Sequence, residues 1–320
     1  NDRTRDAIAY LENTDEGFYR INKDFSSSLA EVNSLNDAMV QGYFGTPSYS
    51  SFNRQEYIDF LRITEVITPG RESETRWAVG LLQRPFLQAV FAVQYNLLKT
   101  HDYKNRDSAY QLIYSPVERF GDVEILENNF FLPLGFACDA FMHEADYMAL
   151  SRTHKDMALF EAVVTGHDLP GLQRITSGEM AARLKTYRLN AFLENVTGKR
   201  DSAMRLTEFR QNRIKGEITL DRAALVFFAV PMDPGWRAKV NGVPHPLIRA
   251  NIGFMGIVLD KGHHDIVLEY SVPYIKLIGG IALACLALYG LLAVRRRIVI
   301  SRMSEPPGRK AVRNAGSQTI

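Results

Sequence analysis

The sequence is poor in cysteine, and its two cysteines cannot build a disulfide framework. Cys285 lies inside a long apolar run, so Cys138 has no obvious partner in a folded domain. The formal net charge is only +2, and much of the positive excess lies near the C-terminus. No basic face interleaved with aromatic residues is present, so we expect no nucleic-acid partner.

The sequence also lacks the short motifs that carry catalytic or metal chemistry. No serine stands in a nucleophile-elbow context, and no glycine-rich phosphate loop precedes a helix. His143 lacks the second histidine that a zinc site on a helix needs. His263 and His264 are adjacent in a predicted strand, where neighbouring side chains face opposite ways and cannot easily share a metal. We therefore predict no catalytic residue, no metal site and no cofactor in this chain.

One uncharged apolar run is long enough to cross a membrane. Residues 277–294 would form a helix of roughly 27 Å, close to the ~30 Å of the hydrocarbon layer. Three consecutive arginines, Arg295 to Arg297, follow the run. Lysine and arginine favour the cytoplasmic side, so the C-terminus is expected inside and the preceding chain outside. A buried helix of a soluble domain is the alternative interpretation. The expected location is a membrane, with the lipid bilayer as partner and the bulk of the chain on the extracytoplasmic side.

The chain is long enough for two globular units before this helix. We predict a mixed α/β extracytoplasmic domain over 1–205 and a small antiparallel β-sandwich over 206–273. A transmembrane helix over 274–295 and a basic, disordered cytoplasmic tail over 296–320 complete this α+β architecture. Since a region of this size must be exported, we expect a signal peptide or further transmembrane helices upstream of Asn1.

Several segments of the first predicted domain have clear local patterns. The spacing of apolar residues predicts helices over 54–63, 73–82 and 178–193. Residues 86–98 are apolar but contain two glutamines and an asparagine, which argues against a second membrane span and favours a helix running into a buried strand. The loop over 33–51 is rich in Asn, Gly, Ser and Tyr. Tyr43, Tyr49 and Ser50 in this loop are weak candidates for a binding surface.

Short predicted strands separated by turn residues indicate the sandwich. Asn241 and Gly242 form a strong hairpin signal, because a type I′ turn needs positive φ at both central positions. Trp236 alternates with Ala238 and Val240, which favours a place in the core. Its ring could instead serve as a platform for a sugar, so Trp236 is a further weak candidate for substrate binding.

The sandwich motifs resemble the C-terminal part of the bacterial YfhO family. In that family a hairpin, an F-x-G strand and a G-x-H-x-I strand precede the last transmembrane helix. The corresponding positions here are Gly235, Trp236, Ala238, Asn241, Gly242, Phe254, Gly256, Gly262, His264 and Ile266. The resemblance is specific over 210–294 and weaker over 17–136, where Phe18 to Ile21 and Gly42 with Tyr43 are similar to the family. Residues 138–201 show little match.

The resemblance implies a multi-spanning protein of the bacterial cytoplasmic membrane, similar to type-C glycosyltransferases. Such enzymes use a polyprenyl-phosphate-linked sugar at the outer membrane face, and members look like enzymes that modify teichoic acids or other surface glycans. The catalytic acidic residue would lie in a first outer loop, between early transmembrane helices absent from this chain. No catalytic residue is carried over, and the matched positions are treated as fold determinants.

Three functions remain open from the sequence. The first is an acceptor-positioning or fold-supporting part of a membrane glycosyltransferase, with a polyprenyl-phosphate sugar donor and a surface glycan acceptor as partners. The alternative is a non-catalytic membrane-anchored binding or assembly module. A transporter subunit is the third. The sequence upstream of this chain would separate them, because many hydrophobic spans favour the enzyme and a lone signal peptide favours the anchored module.

Overall fold

The structure is a computed structural model that describes residues 3–27, 36–50, 52–68, 70–71, 77–104 and 108–303. The chain divides into two units, residues 1–270 and residues 271–320. Within these described ranges, the first unit contains all the sheets and the second contains one long helix. The predicted combination of α+β region, antiparallel sandwich and C-terminal apolar helix is confirmed.

The helices are numbered in chain order among the described residues. They are α1 (Thr4–Thr14), α2 (Asp37–Gln41), α3 (Gln55–Ile63), α4 (Pro85–Val90), α5 (Thr100–Lys104), α6 (Ser108–Ile113), α7 (Glu144–Met148), α8 (Arg152–Glu161), α9 (Ser177–Thr186), α10 (Leu189–Asp201) and α11 (Ile275–Met303).

The strands are numbered in the same way. They are β1 (Arg20–Lys23), β2 (Pro47–Tyr49), β3 (Trp77–Val79), β4 (Val93–Lys99), β5 (Tyr114–Phe120), β6 (Val123–Asn128), β7 (Gly135–Cys138), β8 (Ala140–His143), β9 (Val163–Thr165), β10 (Gln173–Arg174), β11 (Arg205–Arg210), β12 (Arg213–Leu220), β13 (Ala224–Pro231), β14 (Trp236–Val240), β15 (Val243–His245), β16 (Ile248–Ala250), β17 (Phe254–Leu259) and β18 (Gly262–Tyr270).

A four-stranded sheet, in the order β1-β4-β6-β5, lies at the N-terminal end of the first unit. β1 runs parallel to β4, whereas β6 is antiparallel to both of its neighbours. Helix α1 packs on this sheet through Ala7, Ile8 and Leu11, which share a hydrophobic cluster with Ile21 and Leu97. This packing determines where the chain leaves α1 and enters β1.

The sandwich consists of two antiparallel sheets, β11-β12-β18-β14-β15 and β16-β17-β13-β7. Apolar side chains of both sheets belong to one large core cluster. Strand β7 comes from the segment before residue 205, yet it pairs with β13 from Leu225 to Phe228. The two sides of the predicted boundary at 205/206 therefore share a sheet and a core, and the division into two domains stays a prediction.

The residues matched to the family motif act where the sandwich turns or its strands approach closely. Asn241 and Gly242 have φ values of 51° and 80°, which confirms the predicted type of hairpin. Gly235 N–H donates to Asp233 Oδ1 at 2.6 Å, which closes the turn before β14. A Cβ on Gly256 would lie 2.7 Å from Leu225 Cδ2 on the paired strand β13, so a larger residue there would force the Leu225 side chain to shift.

The remaining motif positions also serve the fold. Gly262 has a φ of 143°, which favours glycine at the start of β18. His264 Nε2 lies 2.9 Å from the carbonyl oxygen of Asp260 and bridges the turn between β17 and β18. Phe254 is buried, with its ring centroid 4.5 Å from that of Phe91 and 4.9 Å from that of Phe60.

Two predicted helices differ in the structure. Part of the predicted helix over 73–82 is wrong, because 77–79 form β3, which pairs with β2, and residues 72–76 lie outside the described part. The predicted helix over 178–193 is two helices, α9 and α10. Thr176 caps α9 in a capping box with Glu179, and the backbone at Tyr187 is extended. Residues 86–98 form α4 and then β4, as predicted.

Helix α11 contains the predicted membrane span. Residues Ile275–Ser301 are long and apolar enough to cross a membrane, and an 18-residue stretch within them has a mean hydropathy of 2.4. The helix continues through Arg295 to Arg297 as far as Met303, the last described residue, so the predicted disordered tail is wrong for residues 296–303. Arginine is a good helix former, which favours the extension through Arg295 to Arg297. Residues 304–320 lie outside the described part.

Candidate functional site: an aromatic cleft

A cleft of about 430 Å³ opens where three segments of the first unit meet. These segments are the end of α1 with the chain leading into β1, the loop over 42–44, and strand β11. Aromatic and acidic side chains dominate its lining. We call it the aromatic cleft, and its principal side chains are Phe18, Tyr19, Tyr43, Phe44, Phe209, Glu12, Asp15, Glu16 and Glu208.

Asp15 determines how the chain turns from α1 into the cleft. Its Oδ1 accepts a hydrogen bond from Gly17 N–H at 2.8 Å, which is an Asx-type turn. Its Oδ2 accepts one from the Tyr95 hydroxyl of β4, also at 2.8 Å. Both oxygens are thus held, and the turn directs Phe18 and Tyr19 toward the cleft.

Three phenylalanines from distant parts of the chain form the apolar wall of the cleft. The ring centroid of Phe18 lies 5.1 Å from that of Phe44 and 4.2 Å from that of Phe209. Phe44 is 55% exposed, so much of its ring is open to solvent. Its carbonyl oxygen accepts a hydrogen bond from Ile21 N–H at 2.8 Å, which holds the loop beside β1. An exposed aromatic face of this kind can pack against an apolar face of a ligand.

The acidic side chains are not equivalent. Glu208 is already engaged, with Arg210 at 2.9 Å and Lys215 at 3.5 Å. Glu12 and Glu16 are exposed, and neither forms an ion pair with another residue in the described part of the chain. Together with Asp15 they make the α1 side of the cleft negative. On the α1 side this field disfavours anionic ligands and suits neutral or cationic ones. The Arg20 guanidinium carbon lies over the Phe18 ring, 5.1 Å from its centroid, so the negative charge is confined to that side.

The two tyrosines of the cleft keep their protons. Burial raises the pKa of Tyr19 to about 12, and the charges of Asp15 and Glu12 contribute in the same direction. Burial also raises the pKa of Tyr43, with a further contribution from Asp37. At neutral pH the cleft therefore offers phenol groups, carboxylate acceptors and an aromatic face. This combination suits a ligand with hydroxyl groups and an apolar face.

The candidates from the sequence are dispersed. Tyr43 lines the aromatic cleft. Tyr49 and Ser50 do not line it; the Tyr49 backbone N–H donates to Asn36 Oδ1 at 2.9 Å, and Ser50 Oγ accepts from Phe52 N–H at 3.1 Å. Trp236 is buried, with its ring centroid 5.2 Å from that of Tyr270. The structure thus places Trp236 in the core, the role that its alternation favours.

Most of the cleft was missed from the sequence. Phe18 and Tyr19 lie in a segment that reads as a strand and is similar to the family, and Phe44 directly follows the Gly42-Tyr43 pair, but neither feature indicates a cleft. No periodic pattern connects Phe209 with these residues, because strand pairing and core packing bring β11 to the loop. The acidic residues near the end of α1 look like an ordinary solvated helix end in the sequence.

Among the described residues, one group of possible metal ligands lies on the sandwich. The ligand atoms of Glu217, His263 and Asp265 lie within 4.8 Å of one another on β12 and β18. Arg205 forms an ion pair with Glu217 at 2.8 Å, so this carboxylate is already neutralised. His263 Nδ1 lies 3.1 Å from Thr219 Oγ1. The expectation that this chain binds no metal stays a prediction.

Comparison with known proteins identifies the family. A family model described as "Bacterial membrane protein YfhO" matches residues 1–177 and 180–282. The chain belongs to the YfhO family. The match continues through residues 138–177 and 180–201, so the expectation of little likeness there is wrong. Together with the apolar helix α11, membership of the YfhO family makes this a membrane protein.

A curated relative of the YfhO family is the Bacillus subtilis (strain 168) protein named "Uncharacterized protein YfhO". It is 30% identical over 108 residues, which is 34% of this chain. The match covers 12% of the length of that relative. No solved structure gives a significant match.

Proposed function

We propose that the first unit positions a cell-surface glycan acceptor for a membrane-bound glycosyltransferase that uses a polyprenyl-phosphate-linked sugar. The observation that carries this proposal is the aromatic cleft, where open aromatic rings stand beside carboxylates and neutral phenols. Sugar rings have apolar C–H faces and many hydroxyl groups. Aromatic rings pack on the C–H faces, and carboxylates accept hydrogen bonds from the hydroxyl groups.

The charge of the cleft limits which part of the glycan acceptor can bind there. Glu12, Asp15 and Glu16 would repel a phosphate group at the α1 side of the cleft. We therefore propose that the cleft holds a neutral or amino sugar unit of the acceptor, and that any phosphate of the polymer lies outside it. The role of Tyr19 is to donate a hydrogen bond to a sugar oxygen, because its phenol stays protonated at neutral pH.

The remaining elements of the proposal follow the family resemblance. The first unit lies on the extracytoplasmic side, because the arginines after the span favour the cytoplasm. A lipid-linked donor is amphiphilic, so transfer from it takes place at the membrane surface. The acidic residue that catalyses transfer lies in another part of the longer protein, and the first unit contributes acceptor binding.

The test compares two exposed phenylalanines in the full-length protein. Phe44→Ala removes the open ring of the aromatic cleft, whereas Phe52→Ala removes a ring that is 93% exposed and does not line it. We expect Phe44→Ala to raise the KM for the glycan acceptor about tenfold, the loss of roughly 1.4 kcal/mol of binding. Phe52→Ala should leave KM unchanged.

Three outcomes are informative. A rise in KM for Phe44→Ala alone supports the proposal, and equal KM values for the wild type and both variants contradict it. If the full-length protein binds neutral oligosaccharides through the cleft but transfers no sugar, the membrane-anchored binding module is favoured instead. Thermal unfolding of each variant controls for loss of the fold.

A further inference from the structure

Arg20 borders a second cavity, separate in its lining from the aromatic cleft. This Arg20 cavity has a volume of about 140 Å³. Its polar side chains are Arg20, Thr46 and Tyr57, and its apolar wall includes Phe91, Pro231 and Phe254. A water molecule in the liquid takes up roughly 30 Å³, so the cavity has room for a small organic molecule but not for a polymer.

The guanidinium of Arg20 has no counter-ion in the described part of the chain. Its two terminal nitrogens each donate to a backbone carbonyl at 2.8 Å, Phe91 O and Ala229 O. Among the described residues, no carboxylate forms an ion pair with it. Burial lowers the pKa of Arg20 to about 10, so the group still carries its charge at neutral pH.

Arg20 is partly buried, and two more deeply buried cations of this protein have carboxylate partners. Arg84 pairs with Asp156, and Lys155 pairs with Glu65 at 2.5 Å. Leaving a buried cation without a counter-ion is costly, because its hydration has been lost. A guanidinium has five N–H groups, and two carbonyl bonds leave three of them available. Of Arg20, Arg84 and Lys155, Arg20 is therefore the residue whose N–H groups can still bind an anion.

The alternative is that Arg20 has a purely structural role. Arg200 is an example of an arginine that holds the fold in this way. It also donates to two carbonyls, Asn129 O at 2.8 Å and Phe131 O at 3.1 Å. Arg200 does not line the Arg20 cavity or the aromatic cleft. Arg20 therefore differs from Arg200 in lining the Arg20 cavity.

We propose that the Arg20 cavity binds a small monocarboxylate that carries a short apolar group. The guanidinium neutralises the carboxylate. Thr46 Oγ1 accepts from Leu81 N–H at 3.3 Å, so its hydroxyl proton can be donated to the ligand. The apolar group packs against Phe91, Pro231 and Phe254. A doubly charged phosphate or sulfate fits less well, because one cation and an apolar wall cannot replace its hydration.

The experiment measures thermal unfolding of the full-length protein in detergent, with propionate as the probe and chloride at equal ionic strength as the reference. A ligand that binds the folded state raises Tm in a saturable way. We expect propionate to do so and sulfate not to. Arg20→Gln should abolish the rise, whereas Arg200→Gln, which loses the same number of carbonyl bonds, should retain it.

Thr46→Val keeps the test decisive if Arg20→Gln does not fold. Loss of one hydrogen bond to a carboxylate should weaken propionate binding about tenfold while the fold persists. The proposal is overturned if propionate has no saturable effect, if sulfate acts equally, or if both Arg20→Gln and Thr46→Val respond like the wild type. The result is independent of glycan transfer, so it does not depend on the proposed function.

Discussion

Asn251 forms two hydrogen bonds with the backbone of Val164, in the manner of two paired strands. One of these bonds uses the Asn251 backbone and the other uses its side chain. The backbone N–H of Asn251 donates to Val164 O at 2.7 Å, and its Oδ1 accepts from Val164 N–H at 2.8 Å. Asn251 has a φ of 46°, a left-handed conformation that asparagine tolerates better than most residues. This pair joins the sandwich to β9.

Replacement of Asn251 by alanine should destabilise the protein by about 2–3 kcal/mol. The substitution leaves the buried Val164 N–H without an acceptor and places alanine in an unfavourable backbone conformation. The free energy of unfolding from urea titrations measures this loss. Asn13→Ala is the matched control, because Asn13 is exposed and its side chain bonds only to Ala9 O within α1. Equal losses in the two variants would contradict the assigned role.

Gly253 allows α3 to approach the sandwich closely. A Cβ at this position would lie 2.2 Å from the carbonyl oxygen of Glu56, which is backbone and cannot move alone. We expect Gly253→Ala to cost at least about 2 kcal/mol. Gly178→Ala has open space around the new methyl group and should be nearly neutral or stabilising. A tolerated Gly253→Ala would show that α3 can move away from the turn.

Loss of one partner of the buried ion pair between Arg84 and Asp156 should strongly destabilise the fold. Arg84 is 7% exposed, and burial raises the pKa of Asp156 although the hydrogen bonds and charge of Arg84 oppose the rise. Arg84→Met should cost about 3–5 kcal/mol, because the carboxylate then lacks a partner. The double variant Arg84→Met/Asp156→Leu should recover much of that loss. A double-mutant cycle measures the coupling, and additive losses would refute it.

Tyr19 should make the protein less stable at alkaline pH. Its pKa is 10.0 in the unfolded chain and about 12 in the fold, so the folded state holds the proton more tightly. The contribution of Tyr19 is complete below pH 10.0 and is lost as the pH rises toward about 12. Tyr19→Phe should make the free energy of unfolding fall less steeply over this range. Glu12→Gln should have a smaller effect of the same sign, and a slope unchanged in Tyr19→Phe would contradict the assignment.

The direction of α11 can be tested by labelling single cysteines in intact cells. In a background with Cys138→Ala and Cys285→Ala, a membrane-impermeant maleimide should label Ser271→Cys before the span. It should not label Ser301→Cys at the far end until the membrane is permeabilised. The reverse pattern would place the first unit in the cytoplasm and would refute its proposed role in extracellular glycan modification.

Local patterns were sufficient for several elements. The uncharged run from residue 277 predicted α11, because length and polarity alone decide whether a helix suits a bilayer. The Asn241-Gly242 pair predicted its hairpin, because backbone conformation there depends on two adjacent residues. The alternation around Trp236 predicted its burial for the same local reason. The helix expected over 73–82 was wrong at 77–79, where pairing with β2 decided the conformation.

By itself, the sequence determined the α+β class, the sandwich strands and the apolar helix, since each depends on residues close together in the chain. Only the tertiary structure decided that Phe18, Phe44 and Phe209 meet in one cleft. Only the tertiary structure left Arg20 beside an open volume with carbonyls as its partners. Both sites arise from contacts between segments far apart in the chain, and packing of the whole core selects those contacts.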